Sequence, residues 1–256
     1  MAPRLRPRLG LVLLACLVLL LGGPLATLAL GPASMRGDWS AATHRSAGVA
    51  PDPRAHPEAV VQVYAARTFG WRGAFAVHTW IAAKPAHAER YTRYEVIGWY
   101  ARRSGGAGLS VAAGRAPDAE WYGAAPRLLR DLRGTAAEAV LARLDDVVAA
   151  YPATSYRAWP GPNSNTFVAW VARRIPELNV ALPPHAVGKD YLPEGGALAR
   201  TPSGTGWQLS LGGLAGVALA RDEGLEINLL GLVTGLGASP PSLKLPGLGQ
   251  LPAPES

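Results

Sequence analysis

Cysteine is nearly absent. Cys16 is the only one in 256 residues, so no intrachain disulfide can form and no thiolate cluster can hold zinc. Histidine is scarce as well: His44, His56, His78, His87 and His185 show neither HExxH nor HxH spacing. Neither a metal nor another cofactor is therefore expected. Nothing reads GxxxxGK[ST], and the glycines from Gly231 to Gly237 lack the GxGxxG order, so no phosphate cradle is expected. Lysine is confined to Lys84, Lys189 and Lys244, and the net charge of +7 rests on scattered arginines. Without a basic stripe interleaved with aromatics, nucleic acid is not an expected partner. A diffusely basic surface suits anionic lipid headgroups instead.

Charge is missing altogether from Leu9 to Leu30, a run of 22 residues interrupted in its second half by Gly22, Gly23, Pro24 and Thr27. About 20 such residues let a helix cross a hydrocarbon core, so residues 1–30 read as a membrane anchor. Arg4, Arg6 and Arg8 precede the run, and a basic flank stays cytoplasmic. The expectation is a single-pass protein of a bacterial inner membrane with its C-terminal domain in the periplasm, inner-membrane lipid being its partner through this helix. Two alternatives remain open: cleavage by signal peptidase between Ala26 and Ala33, and a lipoprotein box at Leu13-Leu14-Ala15-Cys16.

What is present is a chain with 49% apolar residues, enough for one main core. Residues 31–57 mix Gly, Ala, Pro and Ser without a period and read as a linker that lifts the domain off the membrane. Residues 58–238 read as an α+β domain. Its opening strands, Val60 to Tyr64, Ala74 to Ala83, Tyr91 to Tyr100 and Leu109 to Ala113, are rich in β-branched and aromatic residues and suggest an antiparallel meander. Thr135-Ala136-Ala137-Glu138 has the form of a capping box. Val140, Leu141, Leu144, Val147, Val148 and Tyr151 then repeat at helical spacing up to Pro152. Asn165 to Arg174 predicts a second helix, with Phe167, Val171 and Ile175 on one stripe and Pro176 ending it. Gln208 to Ala220 and Leu225 to Thr234 read as a glycine-rich hairpin, and residues 239–256 as a Pro-rich tail, extended or disordered.

The chemistry-bearing motif is Asn163-Ser164-Asn165-Thr166-Phe167 at the start of the second helix, with His78 far upstream on a strand. Strands carrying a histidine, then a helix, then a helix opened by this motif resemble circularly permuted NlpC/P60-like members of the papain-like superfamily, in which the motif is Asn-Cys-x-x-Phe. The resemblance implies a fold of an antiparallel sheet and two main helices. It also implies a site formed by His78 and residue 164, where serine replaces cysteine. The strings Val60 to Arg67, His78 to Ala82, Tyr94 to Trp99, Gly161 to Ala169 and Gly188 to Leu192 further resemble the uncharacterised bacterial family catalogued as domain of unknown function 3750, which implies membrane association and no particular activity.

A helix N-terminus stabilises a thiolate but cannot ionise an alcohol, so a Ser164 nucleophile needs His78 as base and a third group to fix the imidazole. Glu95 or Tyr94 on the next strand is expected in that role, the choice depending on register. The Ser164 N–H with the Asn163 or Asn165 amide would meet an oxyanion or bind substrate. The expected reaction is amide or ester hydrolysis, or acyl transfer, with peptidoglycan or lipid as the substrate class. The competing expectation is a catalytically inactive module that binds a cell-wall, lipid or protein ligand. In that case Ser164 or Asn163 serves as a helix cap worth about 1 kcal/mol, and His78 as a core histidine. Lys189 and Asp190 read either as a cleft mouth or as a surface pair.

Overall fold

The computed structural model describes residues 6–31 and 43–253. The uncharged run forms α1 (Arg6–Leu30), of which Gly10–Leu30 is long and apolar enough to cross a membrane or to act as a signal sequence. Of the expected linker, residues 32–42 lie outside the described residues. Residues 43–57 pack on the domain instead of spacing it from the helix. Asp118 gathers the backbone N–H groups of Val49 and Ala50 and the Ser46 hydroxyl, and Pro51 O accepts from Tyr91.

Five strands follow the linker in one antiparallel sheet: β1 (Val60–Arg67), β2 (Val77–Lys84), β3 (Thr92–Val96), β4 (Leu109–Ala113) and β5 (Arg127–Arg133). Their order is β4-β3-β2-β1-β5. β3 is shorter than the expected Tyr91 to Tyr100, because Gly98 opens a short helix, α2 (Gly98–Ser104), which closes on left-handed Gly105. β5 was not expected; its text Arg127-Leu128-Leu129-Arg130-Asp131-Leu132-Arg133 lacks β-branched residues, and pairing with β1 at the sheet edge makes it a strand.

Alternation along the strands sends side chains to two faces. On one face Val61, Val63, Val77, Ile81, Tyr94 and Val96 pack against α3 (Thr135–Ala149) and α4 (Ser164–Arg174). Val140, Leu144 and Val148 supply the α3 stripe, as their spacing predicts. The α3 start differs from expectation: Gly134 is the N-cap, no side-chain cap forms, and Glu138 N donates to Gly134 O, so Thr135 is already inside the helix. On the other face Val60, Tyr64, Trp80, Ala82 and Tyr91 make a second core. Loops cover it, and Pro117 O accepts from Trp80 Nε1.

The C-terminal part is larger than a hairpin. β6 (Leu198–Arg200), β7 (Gly206–Leu211), β8 (Ala215–Ala220), β9 (Gly224–Leu229), β10 (Leu232–Ala238), β11 (Pro241–Leu245) and β12 (Gly249–Leu251) form a seven-stranded antiparallel meander in chain order. Each expected long strand is two strands. Gly212 and Gly213 turn the chain between β7 and β8, and Leu230-Gly231 between β9 and β10, all at positive φ. The expected tail carries β11 and β12, because β10 offers an open edge to which Leu236 and Leu243 align.

Candidate functional site

Because Ala82 pairs with Arg93, the side chains of His78, Trp80, Arg93 and Glu95 all project from the second face of the sheet. His78 Nε2 lies 3.0 Å from Glu95 Oε2, and Arg93 donates to the same oxygen at 2.8 Å. A carboxylate only accepts, so the imidazole carries its proton on Nε2. The Trp121 ring stacks on His78 with centroids 3.5 Å apart and planes within 8°, and the Arg93 guanidinium sits over Trp80 at 4.7 Å. Burial holds His78 below its ordinary pKa despite the bond to Glu95, leaving it neutral at pH 7. For Glu95 burial pushes upward, but the hydrogen bond from His78 and then the charge and hydrogen bond of Arg93 outweigh it and hold the carboxyl below its ordinary pKa. Tyr94 is turned to the opposite face, where its hydroxyl donates to Asp145 at 2.8 Å. The register thus gives Glu95, not Tyr94, to His78.

Ser164 opens α4 on the helix side of the sheet. Thr79, adjacent to His78 and therefore facing the other way, donates to Asn165 Oδ1 at 2.9 Å and to Ser164 O at 3.4 Å. Among the described residues no hydrogen bond joins Ser164 Oγ to His78. Asn163 is the N-cap: its Oδ1 accepts from Asn165 N and Thr166 N, and Thr166 Oγ1 accepts in return from Asn163 N. The two side-chain amides are also engaged. Asn163 Nδ2 donates to Ala158 O and Val187 O, and Asn165 Nδ2 to Val77 O and Val187 O. Gly188, at φ +96, lets the chain pass against Asn163, where a Cβ would strike the amide. The motif therefore fastens helix, sheet and the 187–188 loop together. Neither amide points free N–H groups at a ligand.

The open space lies on the His78 face. A cavity of about 380 Å³ is lined by Arg93, Glu95, Trp99, Tyr100, Arg115, Trp121 and Tyr122, with His44, Ile97, Ala116 and Ala119 completing it. His78 lies outside this lining, in contact with Trp121. Arg115 donates to Tyr100 Oη at 2.9 Å, with its Nη1 3.7 Å from Glu95 Oε1. Glu95 Oε1 itself is buried and makes no hydrogen bond among the described residues. With His78 neutral, one carboxylate faces two guanidinium groups, so the cavity carries one excess positive charge beside an unused acceptor. Among the described residues no group of three or more His, Cys, Asp or Glu stands together as a metal site.

Lys189 and Asp190 are buried, neither a cleft mouth nor a surface pair. Lys189 Nζ meets Glu226 Oε2 at 2.5 Å and Asp190 Oδ1 at 3.1 Å, and Lys244 Nζ meets Glu226 Oε1 at 2.6 Å. Asn228 donates to Asp190 Oδ2 at 2.8 Å. Burial alone would lower the Lys189 pKa, but Asp190 and Glu226 more than reverse this and raise it above its ordinary value. These residues lock the seven-stranded sheet onto the loop that follows α4.

Sequence reasoning overlooked Arg93, Arg115, Trp99, Tyr100, Trp121 and Tyr122. One signal was available: Arg93-x-Glu95 sets opposite charges two residues apart on a strand beside a strand histidine, hence on one face. Trp121 and Arg115 come from an irregular loop whose position no periodicity encodes. A family model described as "Protein of unknown function (DUF3750)" matches residues 58–191. No curated protein matches, and no solved structure does.

Proposed function

The chain belongs to the DUF3750 family, and from its site we propose a membrane-associated binding module that takes an acidic saccharide of the cell envelope, such as a peptidoglycan fragment, into the aromatic cavity. The carrying observation is Glu95 Oε1, a buried acceptor at the cavity wall that receives no hydrogen bond among the described residues. Sugar hydroxyls are donors that fit it. Trp99 and Trp121 offer flat faces for the C–H face of a sugar ring, and Arg115 supplies the charge for an acid group. A cavity of about 380 Å³ falls in the range of small-molecule sites. The order of elements, with His78 on the sheet before α3 and α4, supports a permuted papain-like, NlpC/P60-like ancestry. In this reading the old catalytic positions have become structural. Arg4, Arg6 and Arg8 ahead of the uncharged run support placing the domain on the periplasmic side of the membrane, where such fragments occur.

Hydrolysis or acyl transfer with Ser164 as nucleophile and His78 as base is the second reading. What favours it is that no hydrogen bond among the described residues occupies Ser164 Oγ. Against it, His78 donates to Glu95, stacks under Trp121 and turns from the sheet face where α4 begins.

Calorimetric titration of the detergent-solubilised full chain with a soluble disaccharide-peptide tests the proposal. Binding is expected, weakened at least tenfold in Arg115→Ala and in Trp99→Ala, and unchanged in Ser164→Ala. Lack of binding to the wild type overturns the saccharide reading. Labelling by a fluorophosphonate probe that vanishes in both Ser164→Ala and His78→Ala would establish the hydrolase instead.

A further inference from the structure

The C-terminal sheet is inside out. In β7 and β9 the buried side chains are Gln208, Ser210, Glu226 and Asn228, while Trp207, Leu209, Leu211, Leu225, Ile227 and Leu229 are exposed. The polar inward side is accounted for by the Lys189–Glu226–Lys244 lock. The outward side has no partner among the described residues.

Register makes that outward side continuous. Trp207 pairs with Leu219, Leu219 with Leu225, Leu225 with Leu236, Leu236 with Leu243 and Leu243 with Leu251. This is one apolar row across six strands. At the usual strand separation it is about 24 Å wide. A second row beside it runs Leu198, Leu209, Val217, Ile227. Inside the strands β7 to β12 themselves no charged residue occupies an exposed position; Arg221 is exposed in the turn between β8 and β9. A soluble domain rarely leaves so large an uncharged face in water.

α1 identifies what covers it. The helix is not a free tether: Gly23 and Thr27 are buried, and a Cβ on Gly23 would strike Pro246 O in the β11–β12 turn. Gly247 in the same turn lies against Pro24, and Arg67 Nη2 donates to Gly247 O at 2.9 Å. Gly23 is seven residues from the helix end, about 10 Å along the axis. If Gly10–Leu30 spans the bilayer, its last two turns therefore hold the sheet at the depth of the lipid interface. Aromatic and cationic residues stand at the rims, as they do at membrane interfaces: Trp71 under Arg72 near α1, and Trp207 under Arg200 at the opposite side of the sheet.

We infer that the outer face of the β7–β12 sheet lies in the leaflet from which α1 emerges, with the leucine rows against acyl chains and Arg200 and Arg221 among headgroups. This is independent of the saccharide cavity, which lies on the five-stranded sheet. α1 and the sheet together then fix the domain's orientation on the membrane, where a single flexible anchor would let it tumble.

The test uses the full chain with Cys16→Ser, reconstituted in phosphatidylglycerol/phosphatidylcholine vesicles. A single NBD label is placed through Leu219→Cys, Leu225→Cys or Leu236→Cys, with Arg102→Cys as the control. The three sheet positions are already exposed, so substitution there leaves the core intact, and cooperative thermal unfolding of each labelled protein verifies folding. Expected are blue-shifted emission and at least twofold quenching by lipids doxylated near the headgroup at the sheet positions, and neither at residue 102. Water-like emission at all three positions overturns the inference. Blue-shifted emission without quenching, together with crosslinking of Leu219→Cys between two copies, also overturns it and assigns the face to a dimer.

Discussion

Thr79 Oγ1 donates to Asn165 Oδ1 across 2.9 Å, tying the start of α4 to the sheet face from which the neighbouring His78 is turned away. Adjacent strand residues point to opposite faces, so one bond fixes where Ser164 stands relative to the histidine.

The bond makes residue 165 structural. Asn165→Ala removes two donors, leaving Val77 O without its side-chain partner, and also removes the acceptor for Thr79. A loss of about 3 kcal/mol is expected for the buried groups stranded. Ser164→Ala deletes a hydroxyl to which no bond is assigned, and should cost less than about 0.5 kcal/mol. Urea unfolding of the detergent-solubilised protein, followed by tryptophan fluorescence, measures both.

Acid should destabilise the protein through His185. Burial first, then the charges of Arg67 and Arg127, lower its pKa in the fold to about 3, while the unfolded chain titrates near 6.5. The unfolded state therefore takes up the proton first. The stabilisation is complete above pH ~6.5 and is lost progressively as pH falls toward the folded value. Between pH 8 and pH 5 the loss is about 2 kcal/mol. His78, lowered mainly by burial, adds to it in the same direction. Thermal unfolding at the two pH values should show a smaller difference in His185→Leu than in the wild type.

Glu226 is the keystone between the seven-stranded sheet and the loop that follows α4. Glu226→Gln leaves Lys244 without a carboxylate and Lys189 with Asp190 alone. Removing one partner of a buried ion pair costs about 3–5 kcal/mol. The seven-stranded sheet should then loosen, and limited proteolysis should cut within residues 193–196. A double replacement, Glu226→Leu with Lys244→Met, should recover most of the loss, since Lys189 keeps Asp190 and no charge is stranded.

Much of the five-stranded sheet and its helices was legible from local composition and period. The strands at Val60 and Val77, buried on both faces, stand out by their β-branched and aromatic residues, while the stripe from Val140 to Val148 and the helix that carries Phe167 and Val171 repeat at helical spacing. The site was legible only in part. That Glu95 and not Tyr94 meets His78 needed the Ala82–Arg93 register, because a slip of one residue exchanges the faces. That Lys189 is buried needed Glu226, a partner 37 positions away.

The sequence by itself determined an uncharged N-terminal helix, an α+β chain with antiparallel strands, and a helix opened by the motif at residues 163–167, all properties of residues close together along the chain. Tertiary structure alone decided that Ser164 and His78 work on different faces, that Trp121 and Arg115 close a cavity over Glu95, and that the leucines of β7 to β12 form one outward surface. Side-chain direction depends on which strand pairs with which, and on what packs behind each sheet. Those long-range contacts have no local period from which they can be read.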